Sequence, residues 1–169
     1  MHIALDAMGG DHGPEELIAG AVLAVEQADL DVTLVGDEVL LKSILGRRAS
    51  GRSASARIRI VHCSQVVEMN EHPVEAVRKK KDSSIMVAFD LVRRGEADAV
   101  VSAGNSGATM AAAVRTLGRL EGISRPGIAS FFPTLKKPVV LMDVGANVDC
   151  RPLHLYQFAV MASCFSRIF

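Results

Sequence analysis

Apolar residues along this chain recur in two rhythms: short unbroken runs, and longer stretches with an apolar position every third or fourth residue. Residues 2–6 (HIALD) are a run of the first kind and predict a strand buried on both faces, followed by a glycine turn. Pro14 then stands where a first helical residue would, with Glu15 and Glu16 in the first turn. In the helix to about residue 28, Leu17, Ile18, Ala21, Val22 and Val25 share one stripe, the face that packs on a sheet. A second strand is expected at 32–35, turned by Gly36 and Asp37 into a helix ending near 46, and a third at 58–62. A short basic helix at 74–81 follows, and Asp82, Ser83 and Ser84 read as the cap of a helix at 85–94 that Gly95 ends. The fourth strand is expected at 99–103, before a small-residue helix at 110–117.

Runs at 127–132 and 139–144 predict two further strands, so closely spaced that they form a hairpin rather than a crossover. The last helix, from residue 152, carries Leu155, Tyr156, Phe158, Val160, Met161, Phe165, Ile168 and Phe169 on nearly every face, a pattern that expects cover on all sides. Alternating strands and helices make this an α/β chain, a doubly wound and mostly parallel sheet with helices on both faces, forming a single domain over 1–169.

Composition narrows the function classes. The 19 basic and 19 acidic residues cancel, so no global field draws the protein to nucleic acid or an anionic membrane. Trp is absent and aromatics total 4%, which leaves little to stack bases on. The three cysteines, Cys63, Cys150 and Cys164, show neither pairing nor metal-ligand spacing and suit a reducing compartment. Strand-like sequence begins right after Met1, and no apolar run approaches the ~20 residues of a membrane helix. The reading is a cytoplasmic protein. Residues 47–57 (RRASGRSASAR) form the one low-complexity stretch, a surface loop or a docking patch for an acidic partner.

The candidate chemistry lies where strands end. AGNSGAT at 103–109 follows a strand and opens a helix, so backbone N–H groups and the positive end of the helix dipole are on offer to an anion. DAMGGD at 6–11 and DVGAN at 143–147 share the plan, and in a parallel sheet all three loops would leave the carboxyl edge and build one anion site. Neither GxxxxGK[ST] nor GxGxxG follows a strand, so a nucleotide is not the expected ligand. Asn105 and Asn147 can donate to a developing oxyanion, or simply tolerate a left-handed backbone. Asp6, Asp11, Asp143 and Asp149 admit a metal reading or a turn-capping one. Within the basic run at 78–81, Lys81 beside Ser83 and Ser84 is a candidate phosphate or phosphopantetheine contact. His12 and His72 are conceivable acid–base groups, and Cys150 a thiol nucleophile with no base near it in sequence.

DAMGGD at 6–11, KKDSS at 80–84, SAGNSGA at 102–108 and DVGANVDCRP at 143–152, in this order, resemble the PlsX-type phosphate acyltransferases of bacterial phospholipid synthesis. The resemblance implies an isocitrate dehydrogenase/phosphotransacetylase-like fold. Members of the family are about twice this length, so the chain resembles their N-terminal half and is expected to be truncated. The resemblance also implies transfer of a fatty acyl group from acyl carrier protein thioester to inorganic phosphate, with no cofactor and no metal. A homodimer is expected, with a downstream membrane acyltransferase as the consumer of the acyl phosphate and peripheral membrane contact allowed.

On that reading Asn105, Asn147 and Lys81 are the catalytic candidates. Asp6, Gly9, Gly10, Asp11, Ser83, Ser84, Gly104, Ser106, Gly107, Asp143 and Gly145 are expected to bind the substrates. Two alternatives stay open: a non-catalytic half-domain that binds phosphate or carrier protein, and an NAD-dependent decarboxylating dehydrogenase on the same fold.

Overall fold

The computed structural model describes residues 1–48 and 56–168. Most of the arginine- and serine-rich stretch expected to be a loop or docking patch lies outside the described residues. Where the patterning reads as one domain, the chain groups into two compact units, Met1–Leu117 and Gly118–Phe169.

The first unit is built on four parallel strands, β1 (His2–Asp6), β2 (Asp31–Gly36), β3 (Ile58–His62) and β4 (Ala99–Ser102), in the order β3-β2-β1-β4. Among the described residues five helices accompany them: α1 (Pro14–Gln27), α2 (Glu38–Arg48), α3 (Pro73–Lys79), α4 (Ser84–Arg93) and α5 (Ser106–Leu117). Neighbouring strand residues face opposite ways, and the two cores follow from that. Leu5 and Leu34 join Ile18 and Val22 of α1 and Leu41 and Ile44 of α2. Ala4 and Val35 join Ala88 and Leu91 of α4. Helices therefore cover both faces of a parallel sheet, as the unbroken apolar runs require.

The order of the strands matters more than their number. From β1 the chain adds β2 and then β3 on one side, then crosses back to lay β4 on the other side of β1. The carboxyl ends of β1 and β4 thus flank the point where the winding reverses, the place at which open α/β sheets hold ligands. In register, Asp6 at the end of β1 pairs with Ser102 at the end of β4.

Two helix starts differ from the sequence reading. The helix after β4 begins at Ser106 rather than 110, because Asn105 caps it and the small Ser106 and Gly107 are tolerated in a first turn. Ser83 does stand at the N-cap of α4, but its hydroxyl donates to the carbonyl of Lys80 at 2.8 Å and makes no cap.

In the second unit β5 (Ala129–Phe132) and β6 (Val139–Met142) form the expected antiparallel hairpin, with Ala129 opposite Met142. They form a sheet of their own, which corrects one expectation: the loop at 143–147 leaves a hairpin, not the carboxyl edge of the parallel sheet. The helix α6 (Pro152–Phe165) buries His154, Gln157 and Phe158. Gln157 is fully employed, accepting from the backbone N–H and hydroxyl of Ser124 and donating to the carbonyl of Gly122 at 2.7 Å. Leu155, Tyr156 and Val160, on its other sides, are exposed. Among the described residues no helix is long and apolar enough to cross a membrane.

Candidate functional site

The loops after β1 and β4 meet at the reversal of the sheet, and a buried carboxylate joins them. Asp6, 3% exposed, accepts the Ser102 hydroxyl at 2.8 Å on one oxygen and the Met8 N–H at 3.3 Å on the other. The Ser102 oxygen in turn accepts the N–H of Gly104 at 3.1 Å. Glycine is required here by close approach. A Cβ on Gly9 would lie 2.8 Å from Asp6 Oδ2 and 2.9 Å from the nitrogen of Gly104, closer than side chains pack. Gly10 turns the chain away with φ +94°, a conformation other residues rarely adopt. Asp6, expected to bind substrate, has each oxygen in a hydrogen bond inside the loops. Its work is to lock the two loops together. Asp11 and His12, next in sequence after the glycine turn, are exposed.

Asn105 is likewise a structural hub. Its Oδ1 accepts the N–H of Ala108 at 3.0 Å, the third donor of α5, while the first intrahelical bond runs from Thr109 to the Asn105 carbonyl. The amide nitrogen donates to the carbonyls of Met69 and Glu71, both at 3.1 Å, with Glu68 at 3.5 Å. The hydrogens expected to meet an oxyanion are therefore committed to the loop at 68–71. The two donors ahead of Ala108, the N–H groups of Ser106 and Gly107, have no intrahelical acceptor by the geometry of any helix start. The positive end of the helix dipole lies behind them.

Lys81, Ser83 and Ser84 separate. The serines are buried, Ser83 turned onto Lys80 and the Ser84 N–H onto the carbonyl of Gln65. Lys81 is exposed, and its side chain is held by no hydrogen bond or ion pair among the described residues. The neighbouring Asp82 is held below the usual carboxylate range by the Ser64 hydroxyl and N–H that it accepts.

In the second unit the loop at 143–147 closes on itself. Asp143 accepts the N–H groups of Ile128 at 2.7 Å and Asn147 at 2.8 Å, and the Asn147 amide donates to the carbonyl of Pro126 at 2.9 Å. Gly145 makes the turn with φ +89°. Asn147 thus spends its side chain as Asn105 does, on a carbonyl of its own unit. Cys150 is exposed, its thiol within 3.8 Å of the Asn147 carbonyl, and no hydrogen bond to a histidine or carboxylate activates it among the described residues. Cys63 is the opposite case: burial first, and then the nearby Asp82 charge, push its thiol up to about 11. Among the described residues no cluster of three or more histidine, cysteine or acidic side chains is arranged to hold a metal ion.

Sequence reading passed over three residues: Ser102, which links Asp6 to Gly104, and the pair Glu71 and Lys80, which fix the loop that Asn105 clasps. Ser102 carries a signal, a hydroxyl ending a strand beside one that ends in Asp. Glu71 and Lys80 carry none, since their partner is visible only in space.

A family model described as "Fatty acid synthesis protein" matches residues 1–168. A phosphate acyltransferase of Pelotomaculum thermopropionicum is 54% identical over 99% of this chain and 48% of its own length. A phosphate acyltransferase of Desulforamulus reducens is 54% identical over 97% of this chain, again 48% of its own length. The chain spans about half the length of the curated relatives it matches. Among solved structures, the EutD phosphotransacetylase from Staphylococcus aureus superposes with a TM-score of 0.67 at 21% identity, over 95% of this chain and 51% of that one. That likeness establishes the fold.

Proposed function

Because the chain belongs to the fatty acid synthesis protein family, we propose that it is part of an acyltransferase that moves a fatty acyl group from acyl carrier protein to inorganic phosphate. One observation carries the reading: the loops after β1 and β4 are locked together at the reversal of the sheet, beside a helix start with two uncapped N–H donors. Inorganic phosphate near neutral pH is already an anionic nucleophile, so the protein's task is positioning and electrostatics. A phosphate oxygen attacks the thioester carbonyl carbon, forming the new C–O bond while the carbonyl electrons collect on oxygen. Collapse of that oxyanion breaks the C–S bond, and the electron pair leaves on the carrier's sulfur, which takes a proton from solvent. In this reading Ser106 and Gly107 donate to phosphate, and the loop at Gly9 and Gly10 is the facing wall. Lys81 supplies unpaired positive charge to the approaching dianion. Asn105 positions the cradle. The same reading has the protein work in the cytoplasm as a homodimer whose acyl phosphate passes to a membrane acyltransferase.

A second reading draws on the length: this half binds phosphate without turning over. One assay separates the two. The full-length natural protein and the 169-residue chain are incubated with acyl carrier protein thioester and phosphate, and acyl phosphate is trapped with hydroxylamine. Phosphate-dependent hydroxamate from the full-length protein is expected, and a folded full-length protein that forms none overturns the acyltransferase reading. Phosphate binding without product is the outcome the second reading requires.

A further inference from the structure

Resting on the reading of a phosphate site at the start of α5, we infer that the ion pair of Lys80 and Glu71 is a positioning device for that site, holding the strap of residues 66–72 against the first turn of α5. The strap is tied at both ends by this one pair. Lys80 Nζ donates to the carbonyl of Val66 at 2.7 Å and pairs with the carboxylate of Glu71. The same Glu71 oxygen accepts the N–H of Glu68 at 2.8 Å, so the strap closes on itself as it is pinned to the end of α3. Glu68 and Lys80 together keep the Glu71 carboxyl below its ordinary range, and it stays charged at neutral pH.

What the closed strap touches is the cradle. Its carbonyls at Met69 and Glu71 receive the Asn105 amide, whose other end caps Ala108. At its end, Pro73 roofs Gly107 so closely that a Cβ there would come within 2.6 Å of the proline ring. Lys80 and Glu71 therefore govern, through Asn105 and Pro73, where the N–H groups of Ser106 and Gly107 sit. The pair is also set apart by burial: side-chain exposures are 29% and 28%, against 65% and 45% for the helical pair Lys42 and Glu38. Exposed pairs of the latter kind contribute little, because solvent screens them. A partly sheltered pair whose two members also hold backbone groups fixes a geometry.

The test uses the full-length natural protein carrying Lys80→Gln, Glu71→Gln, both together, or Lys80→Arg, with thermal midpoints recorded beside the kinetics. A displaced strap misplaces phosphate but not the acyl donor. Lys80→Gln and Glu71→Gln should each raise the KM for phosphate on the order of tenfold while the KM for acyl carrier protein thioester holds. The double variant should be no worse than either single one, and Lys80→Arg should recover most of the loss. Should Lys80→Gln fail to fold, Glu71→Gln keeps an acceptor for the Glu68 N–H and reads out the same quantity. An unchanged phosphate KM, or both KM values rising together as the thermal midpoint falls, overturns the positioning role alone. A wild-type protein that makes no acyl phosphate overturns the underlying reading, and this one with it.

Discussion

Gly9 and Gly104 face each other across the join between β1 and β4, and a methyl group costs different amounts at the two positions. At Gly9 it would meet a buried carboxylate oxygen at 2.8 Å and a backbone nitrogen at 2.9 Å, neither of which can move without parting the loops. At Gly104 the nearest atoms stand at 3.3 Å, tight but within reach of a small shift. Gly9→Ala should therefore lower stability by about 1–3 kcal/mol. Gly104→Ala should cost clearly less, and denaturant midpoints of the two variants check the order. Equal midpoints would mean the loops are not locked as described. At this scale the sequence was informative about which loops approach each other and silent about the hydrogen bonds their side chains make. Glycines beside Asp and Asn at strand ends marked the loops after β1 and β4, which do approach closely, because close backbone approach has a residue-type signature. The roles of Asp6, Asn105 and Ser83 were not legible, since a chain of letters does not show which lone pairs and hydrogens are already taken by distant carbonyls.

Elements were legible where apolar periodicity was strong. The stripe of Ile18, Ala21, Val22 and Val25 is buried on α1 as the 3.6-residue repeat requires, and the close spacing of β5 and β6 did mean a hairpin. The start of α5 was less so, because a Gly-Asn-Ser-Gly run suits a turn and a helix start equally until the cap is seen. Helix α6 shows a further element-scale device that no pattern announced. His154 Nδ1 accepts the N–H of Arg151 at 3.1 Å, closing the first turn. Burial lowers its pKa, with Arg125 and Arg151 adding to the effect. A base whose folded pKa lies below its unfolded value is neutral in the fold and charges more readily in the unfolded chain. Its contribution is thus complete above the ordinary histidine pKa of 6.5 and is lost as pH falls through that value towards the folded one. Thermal midpoints between pH 7.5 and 5.5 should fall less for His154→Asn, which keeps an acceptor but cannot charge, than for the parent (a window of about one unit either side of the ordinary value). Identical slopes would remove His154 as the titrating group.

For the molecule as a whole, a mostly parallel sheet with helices on both faces was implied by the alternation of runs and stripes, whereas the order β3-β2-β1-β4 was not. The division at Leu117 and Gly118 was not, because nothing in composition changes there. That division bears on the site. The two loops of the first unit are drawn together by hydrogen bonds and glycine contacts, whereas the loop at 143–147 is held by bonds within the second unit. We propose accordingly that inorganic phosphate binds within the first unit, where β1 and β4 end, at the uncapped N–H groups of α5. The most direct measurement follows the backbone amide resonances of isotope-labelled protein during a phosphate titration, with chloride at matched ionic strength as the control. Saturable shifts at Ser106 and Gly107, accompanied by Gly9 and Gly10 and absent with chloride, are the predicted result. Shifts confined to other residues, such as the loop at 143–147, or no saturable shift at any amide, would contradict it.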